Sequence, residues 1–416
     1  MNAFSKIDMG EVTRLTQAGK LAEAMALLQG HTASSMARGS PGSDVPRLTQ
    51  GIKRPLPPID MVAPSVPGGA WTAPTQFKQR AAGESVRPVK AAGSPDLAQT
   101  MLAFRDRLPK LGMLSRVGDG LGSARQAPVV VPEGARFEER TFSNDVGSRT
   151  YKVYVPSGYS GQSLPVVVML HGCTQNPDDF AAGTRMNEVA EERTFLVAYP
   201  RQPPSANMQK CWNWFNAGDQ QRDGGEPSII AGIAMQVVEE FSADPARVYV
   251  AGLSAGGAAA AIMAATYPDI FAAVGVHSGL ACGAARDVSS AFAAMKRGGT
   301  PIVTSSERIV PTIVFHGDGD TTVNPVNGDQ VIAQAKAGAN LHLAVSRGET
   351  PGGIGYVRTI QSDEGGRPVL EQWVLHGAGH AWSGGSPAGS YTEPRGPDAS
   401  REMMRFFRQQ PATPDR

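Results

Sequence analysis

After about residue 137, short continuous apolar runs alternate with longer stretches in which apolar residues recur at helical spacing. We predict the short runs as buried strands; they are 165–170, 194–200, 247–252, 272–277, 311–316 and 371–376. Residues 227–241 and 255–268 predict helices between them. Buried strands that alternate with helices indicate a mostly parallel sheet with helices on both faces, so the sequence predicts an α/β fold.

The chain before this region has a different pattern. Apolar residues at helical spacing predict a short amphipathic helical segment within 1–30. Residues 31–130 are rich in Pro, Gly and Ser, and they predict a mostly disordered linker that buries too little apolar surface to offset its ordering entropy. Residues 137–156 predict a β-hairpin around the turn 144–147. We therefore expect one α/β domain at 131–410.

Composition and charge exclude several functional classes. A net charge of +1 gives no general attraction to nucleic acid or to a membrane surface. The chain has three widely spaced cysteines, Cys173, Cys211 and Cys282. An odd number at such spacing opposes a dense disulfide framework but allows one disulfide among them. Without a Cys/His cluster we expect no metal and no cofactor. Without an apolar run of about 18 residues we expect no membrane span, and the N-terminus does not read as a signal peptide. The cytoplasm is therefore the expected location.

The strongest chemical signal is the sequence Gly252-Leu253-Ser254-Ala255-Gly256. It follows a predicted strand directly and precedes an Ala-rich predicted helix. In that context a G-x-S-x-G sequence is typical of a nucleophile elbow, a strained turn that exposes the serine hydroxyl. The two glycines are needed because the turn brings neighbouring backbones too close for a Cβ. Ser254 is therefore the predicted nucleophile.

The order of polar residues along the chain supplies an acid and a base. In α/β-hydrolases the acid and then the histidine follow the nucleophile, each after a later strand. Asp320 and the competing Asp318 follow the strand 311–316, and we favour Asp320, which lies deeper in the loop. Of the seven histidines, His380 is the one on a Gly-rich loop past the last predicted strand, so it is the predicted general base.

An oxyanion hole requires two backbone N–H donors that face the developing charge. Ala255, which follows the nucleophile, supplies one. The turn after the strand 165–170 holds Cys173, and its N–H is the predicted second donor. A rival role for Cys173 as a thiol nucleophile has little support, because the residue does not lie on an elbow.

Trp212, Trp214 and Trp382 are predicted to line the substrate site. Trp382 is close to the predicted base along the chain, which favours a place beside the substrate. For Trp214 a place in the protein core is an equal alternative. A polar loop precedes the helix predicted at 227–241, and we expect it to be solvated, with Ser228 as the helix cap. Its charged residues are Asp219, Arg222, Asp223 and Glu226.

Together these motifs resemble the esterase family of polyhydroxybutyrate depolymerases, which includes feruloyl and acetyl xylan esterases. The matching segments are LHGCTQ (170–175), CWNWF (211–215), AGLSAGG (251–257), HGDGDTTVNP (316–325) and GHAWSGG (379–385). The resemblance implies an α/β-hydrolase fold with Ser254, Asp320 and His380 as the triad and Cys173 at the oxyanion loop. It does not cover the residues before 130.

The resemblance implies a serine esterase that hydrolyses poly(3-hydroxybutyrate) or a related polyhydroxyalkanoate. The expected partner is then a polyester, with the N-terminal extension at the surface of a storage granule. One alternative is a carboxylesterase or feruloyl esterase that acts on small soluble esters. Another is an inactive granule-associated scaffold protein. Secretion, as in exported members of the family, is the alternative to a cytoplasmic location.

Overall fold

A computed structural model describes residues 129–300, 309–336 and 338–411. The predicted helical segment 1–30 lies outside these residues, as does the predicted linker 31–130 except for its last two positions. The secondary-structure elements from the first strand to the last helix fall within 136–407.

A ten-stranded sheet forms the centre of the described part of the chain, in the order β1-β2-β4-β3-β5-β6-β7-β10-β9-β8. The strands are β1 (Arg136–Asn144), β2 (Gly147–Val155), β3 (Val166–Leu170), β4 (Leu196–Pro200), β5 (Val248–Leu253), β6 (Phe271–His277), β7 (Thr312–Gly317), β8 (His342–Glu349), β9 (Gly355–Ser362) and β10 (Pro368–Leu375). Two short strands, β11 (Trp382–Ser383) and β12 (Thr392–Glu393), pair in parallel beside it.

Adjacent strands from β4 through β3, β5, β6 and β7 to β10 run parallel, and they correspond to the six strands predicted from apolar runs. Antiparallel pairs flank them at both sides, with β1 and β2 next to β4 and with β9 and β8 next to β10. The predicted hairpin is β1–β2, and Asn144 pairs with Gly147 at its turn. The predicted α/β fold is confirmed.

Helices cover both faces of the sheet. The bounds are α1 (Pro177–Thr184), α2 (Met186–Arg193), α3 (Gly225–Glu240), α4 (Ala255–Thr266), α5 (Val288–Arg297), α6 (Val326–Lys336) and α7 (Ala399–Phe407), with one 3₁₀ turn at Ala217–Gln220. Alternate residues of β3 divide between two cores, because successive strand side chains point to opposite faces. Val166, Val168 and Leu170 pack in the core beneath α3 to α6, whereas Val167 and Met169 pack with α1, α2 and α7.

The strand order reverses between β3 and β5. β3 lies between β4 and β5, so the connections that leave β3 and β5 turn to opposite sides. In open α/β sheets a crevice forms at the carboxyl ends of the strands at such a switch point, and ligands bind there. The residues that follow β3 and β5 are Gly172, Cys173 and Ser254, so the topology places the predicted site in this crevice.

The strands β8 and β9 were not predicted from the sequence. β8 is an edge strand whose side chains are largely exposed, so it shows neither a continuous apolar run nor a clean apolar alternation. Leu343 is 65% exposed and Val345 49% exposed. Within the described residues, none of the helices is both long enough and apolar enough to span a membrane.

Candidate active site

Ser254 lies in a sharp turn between β5 and α4. Its backbone has φ +58° and ψ −119°, a conformation that non-glycine residues adopt rarely and that costs on the order of 1–3 kcal/mol. A Cβ on Gly252 would lie 2.3 Å from the Gly256 backbone, and a Cβ on Gly256 would lie 2.0 Å from the carbonyl oxygen of Leu170. The glycines on both sides of Ser254 are therefore required by close backbone approach, as the motif predicts.

The turn after β3 lies directly against Ser254. A Cβ built on Gly172 would be 3.6 Å from the Ser254 Cβ, and Cys173, Ala255 and Ser254 all line one cavity. Ala255 is the first residue of α4, where backbone N–H groups have no intrahelical acceptor. The residues of the two predicted oxyanion donors therefore line the same cavity as the nucleophile.

His380 and Asp320 form a buried pair beside this cavity. His380 Nδ1 lies 2.7 Å from Asp320 Oδ2, and the two side chains are 7% and 0% exposed. Because the Asp320 carboxylate can only accept a hydrogen bond, the contact places the imidazole proton on His380 Nδ1. His380 Nε2 is then left as an acceptor. His380 also lines the cavity that contains Ser254. This is the arrangement that a general base and its orienting acid require.

Asp320 is held as a carboxylate by its neighbours. Burial opposes its ionisation, but His316 and His380 and the N–H of Val323 outweigh burial and lower the pKa of Asp320 well below its ordinary value. Its Oδ1 accepts the N–H groups of Thr322 at 2.8 Å and of Val323 at 2.9 Å. His316 Nε2 lies 3.5 Å from Oδ2. These contacts fix both carboxylate oxygens.

The competing acid, Asp318, has a different partner. Its Oδ2 accepts from His376 Nδ1 at 2.8 Å, and its Oδ1 accepts the N–H of Gly377 at 2.7 Å. Both side chains of the Asp318–His376 pair are exposed to solvent, at 42% and 51%. Asp318 therefore stabilises the loop after β10, away from the buried pair.

Two further histidines near the site are buried and neutral. Burial lowers the pKa of His171 to about 4 and that of His277 to about 3. His171 Nε2 accepts the N–H of Gln202 at 3.1 Å, and His277 Nε2 accepts the N–H of Ser383 at 3.0 Å. Both imidazoles are therefore structural hydrogen-bonding groups.

A disulfide joins Cys173 to Cys211 across 38 residues. It connects the turn after β3 to the loop that carries Trp212 and Trp214, and both cysteines line the cavity. The sequence had left one bridge open without assigning its partners. The third cysteine, Cys282, is free and buried.

The cavity that contains Ser254 and His380 has a volume of about 190 Å³. Much of its lining is apolar. The apolar residues include Trp214, Phe215, Leu280, Val288, Ala291, Phe292 and Met295, and the last four of these come from α5. A wall of this kind accommodates the hydrocarbon part of an acyl or alcohol group.

Two of the three tryptophans predicted to bind substrate do not line this cavity. Trp382 is 1% exposed, stacks on His277 with ring centroids 5.1 Å apart, and donates to Ser400 Oγ. Trp212 is also 1% exposed, and its Nε1 donates to the carbonyl of His171. The prediction for both was wrong, because each ring points into the protein beneath its loop. Trp214 lines the cavity and is 6% exposed.

The polar loop before α3 also differs from the prediction. Glu226 is 7% exposed and accepts from Asn213 at 2.7 and 2.8 Å and from Gln202, which holds the loop that carries the tryptophans. α3 begins at Gly225, so Ser228 lies inside the helix and is not its cap. The N–H of Glu226 instead donates to Asp219 Oδ1.

A buried group of polar residues beside the oxyanion turn was not predicted from the sequence. Gln175, Asp179 and Ser390 hydrogen-bond to one another there. The available signal was Gln175, a polar residue in the segment LHGCTQ of the oxyanion turn. Ser390 lies more than 200 residues after the other two, and no local pattern reveals such a pairing. Among the described residues, no group of three or more His, Cys, Asp or Glu side chains is arranged to hold a metal ion.

Residues 149–345 match the family model described as "Esterase PHB depolymerase". Poly(3-hydroxyalkanoate) depolymerase C of Paucimonas lemoignei is 33% identical over 58% of this chain and 60% of its own length. Acetylxylan esterase A of Talaromyces purpureogenus is 28% identical over 47% of this chain and 55% of its own length. The chain thus spans a little more than half the length of these relatives.

A solved structure of an acetyl xylan esterase from Aspergillus awamori superposes with a TM-score of 0.53. The superposition covers 66% of this chain and 99% of that one, at 22% identity, so it shows a shared fold. The fold and the resemblance to the esterase family expected from the sequence are confirmed.

Proposed function

Because residues 149–345 match the esterase family of polyhydroxybutyrate depolymerases, we propose that this chain hydrolyses carboxylic esters with Ser254 as nucleophile, His380 as general base and Asp320 as orienting acid. The observation that carries the proposal is the buried contact of 2.7 Å between His380 Nδ1 and Asp320 Oδ2, beside a serine on a strained elbow in the same cavity. An inactive scaffold protein has no need of this contact.

In the proposed mechanism Ser254 Oγ attacks the ester carbonyl carbon while its proton passes to His380 Nε2. Asp320 holds the imidazole and stabilises its charged form. The carbon–oxygen bond to the alcohol then breaks, and His380 returns the proton to the departing oxygen. Water attacks the resulting acyl-enzyme while its proton passes to His380. The bond between the acyl carbon and Ser254 Oγ then breaks, His380 returns the proton to Oγ, and the acid product leaves.

The negative charge of each tetrahedral intermediate would be bound by the N–H groups of Cys173 and Ala255. Removal of one such donor costs about 3–4 kcal/mol in related chemistry, which makes the oxyanion hole a large contribution to catalysis. The Cys173–Cys211 disulfide supports this role, because it attaches the first donor to a second loop of the cavity.

We propose poly(3-hydroxybutyrate) or a related polyhydroxyalkanoate as the substrate. The apolar wall fits the hydrocarbon part of such a polyester, and one relative is named as a depolymerase. The cavity of about 190 Å³ is smaller than the roughly 300–1,000 Å³ of sites that enclose drug-sized ligands, so it encloses only a short segment of a polymer.

Small soluble esters, including feruloyl esters, are the second candidate class. The size of the cavity favours them equally, and relatives of the chain are named as acetylxylan and feruloyl esterases. In this case the apolar wall binds one acyl or aromatic group, and no polymer surface is needed.

The disulfide bears on the compartment in which the protein acts. Disulfides persist mainly in oxidising compartments. The Cys173–Cys211 bridge therefore favours action outside the cytosol, in contrast to the cytoplasmic location that the sequence favoured. Attachment to a storage granule through residues 1–130 stays a prediction.

Purified protein incubated with amorphous poly(3-hydroxybutyrate) should release 3-hydroxybutyrate and its oligomers, and Ser254→Ala should release none. Short aryl esters and feruloyl esters are assayed beside the polymer, and a fluorophosphonate probe reports the reactive serine. Hydrolysis of the small esters without release from the polymer would identify small soluble esters as the substrate class. Turnover in Ser254→Ala, or no labelling of the wild type, would contradict the proposed triad.

A further inference from the structure

The oxyanion turn is joined to the segment that supports the proposed base by one buried side chain, that of Gln175. Gln175 is 2% exposed, and both ends of its amide are used. Its Oε1 accepts the N–H of Gly172 at 2.9 Å. Its Nε2 donates to Asp179 Oδ2 at 2.9 Å and to the carbonyl oxygen of Ser390 at 3.1 Å.

Asp179 completes the connection from the first turn of α1. It is 4% exposed, and its Oδ1 accepts the N–H of Ser390 at 2.9 Å while its Oδ2 accepts the hydroxyl of the same residue. The next residue, Tyr391, accepts the N–H of Trp382 at its carbonyl at 2.7 Å. Trp382 follows His380 closely, so the contacts lead from the oxyanion turn to the loop of the base.

Two consecutive peptide groups set the direction of the Cys173 N–H. The Gln175 side chain holds the first, His171–Gly172, through the Gly172 N–H. The carbonyl of Gly172 accepts from His171 Nδ1 at 2.7 Å and from the N–H of Gln175 at 3.3 Å. The Gly172–Cys173 peptide is planar and trans, so its N–H points opposite to its carbonyl. Fixing the carbonyl of Gly172 therefore fixes the direction of the Cys173 N–H.

We propose that Gln175 is a positioning residue. Its side chain holds the His171–Gly172 peptide through the Gly172 N–H, so that the next peptide keeps the Cys173 N–H directed at the oxyanion, and it couples this turn to the loop of His380. This inference rests on the proposed oxyanion role of Cys173. Gln175 acts on catalysis through the backbone of its neighbours and has no chemical role of its own.

The chemistry of the site requires an amide at this position. One end of the side chain must accept from Gly172, and the other must donate to the Asp179 carboxylate. An apolar residue would leave the Gly172 N–H buried without a partner and would remove one donor from the Asp179 carboxylate, and a carboxylate would stand against Asp179 at hydrogen-bonding distance. A protonated carboxyl group satisfies both requirements.

The test compares Gln175→Ala and Gln175→Glu with wild type on a soluble aryl ester. We expect kcat to fall about 10- to 100-fold, which is less than the loss of a whole donor, while KM changes by less than about threefold. The affinity for an aryl boronate, whose serine adduct is tetrahedral, should weaken by the same factor as kcat/KM. In Gln175→Glu the activity relative to wild type should recover as pH falls, because protonation restores the donor.

A matched control is Gln410→Ala. Gln410 is 7% exposed and donates to the carbonyls of Pro368 and Phe406, at the end of β10 away from the site. This variant should lose stability but keep kcat. It therefore separates the general effect of removing a buried amide from displacement of the oxyanion turn.

Wild-type kcat in folded Gln175→Ala would overturn the inference. An equal loss of affinity for the aryl boronate and for the ester substrate would overturn it too. A ratio of Gln175→Glu activity to wild-type activity that does not change with pH would overturn it as well. Ser254→Ala is assayed in parallel, because activity in that variant would instead refute the proposed nucleophile and with it the proposed function.

Discussion

The buried contact of 2.7 Å between His380 Nδ1 and Asp320 Oδ2 has an exposed counterpart only a few residues away, between His376 and Asp318. Both aspartates follow β7, and both histidines follow β10, its parallel neighbour. The two pairs differ in burial and in whether the histidine lines the cavity of Ser254. His380 lines the cavity of Ser254, whereas the His376 side chain is 51% exposed. Their geometry therefore separates a candidate catalytic pair from a loop-stabilising one.

Asp320→Asn should lower kcat by on the order of 10³-fold or more, because an amide favours the wrong imidazole tautomer and cannot stabilise the imidazolium. Asp318→Asn is the matched control and should keep kcat within about threefold, since its contacts lie in solvent. Steady-state hydrolysis of an aryl ester measures both. The opposite ranking of the two variants would assign the acid role to Asp318.

The same pair bears on the pH dependence of activity. Since its neighbours lower the pKa of Asp320 well below the ordinary value, its carboxylate stays ionised in mildly acidic solution. Loss of activity on mild acidification should therefore not arise from protonation of Asp320.

Reduction of the Cys173–Cys211 disulfide should lower both stability and kcat. The bridge closes a loop of about 38 residues, and the loop-closure model gives about 4 kcal/mol of stabilisation for that length. The measurement is urea unfolding and aryl ester hydrolysis of Cys211→Ser beside wild type with and without dithiothreitol. Dithiothreitol should not change Cys211→Ser further. Full activity in this variant would show that the Cys173 backbone holds its place without the bridge.

The parts of the fold that could be predicted are those encoded locally. Five of the six parallel strands, β3 to β7, are buried along their whole length, so each is mostly an apolar run. β10 is partly exposed, and its apolar signal is the run at 373–375. The elbow was equally visible, because its G-x-S-x-G sequence directly follows a predicted strand and precedes a predicted helix. Edge strand β8 has exposed side chains and no such pattern, and so it was missed.

The errors at the site arise from contacts between distant segments. Proximity of Trp382 to His380 along the chain suggested a wall of the cavity, but β11 turns the ring toward His277 and Ser400. Glu226 was expected in solvent because its neighbours in sequence are polar. Its burial depends on Asn213 and Gln202, which come from other loops. Sequence spacing does not specify such packing.

Glu226 should make the free energy of unfolding depend on pH near neutrality. Burial raises the pKa of Glu226 to about 7, and repulsion by Asp219 adds to this, while hydrogen bonds from Asn213 and Gln202 and the charge of Arg149 oppose it. The unfolded value is near 4.5, so between about pH 4.5 and 7 the folded state binds more protons than the unfolded state. The free energy of unfolding should therefore fall as pH rises through this window and level off above it.

The measurement is urea unfolding of wild type and Glu226→Gln at about pH 5 and about pH 8, because the amide stays neutral at both. The stability of wild type relative to this variant should decrease by about 2–3 kcal/mol from the lower to the higher pH, at about 1.4 kcal/mol for each unit of pKa difference. Glu364→Gln, at an exposed turn, is the control and should show no such change. An unchanged or increasing difference for Glu226→Gln would mean that its hydrogen bonds outweigh burial, and that the carboxylate is ionised throughout the range in which the enzyme works.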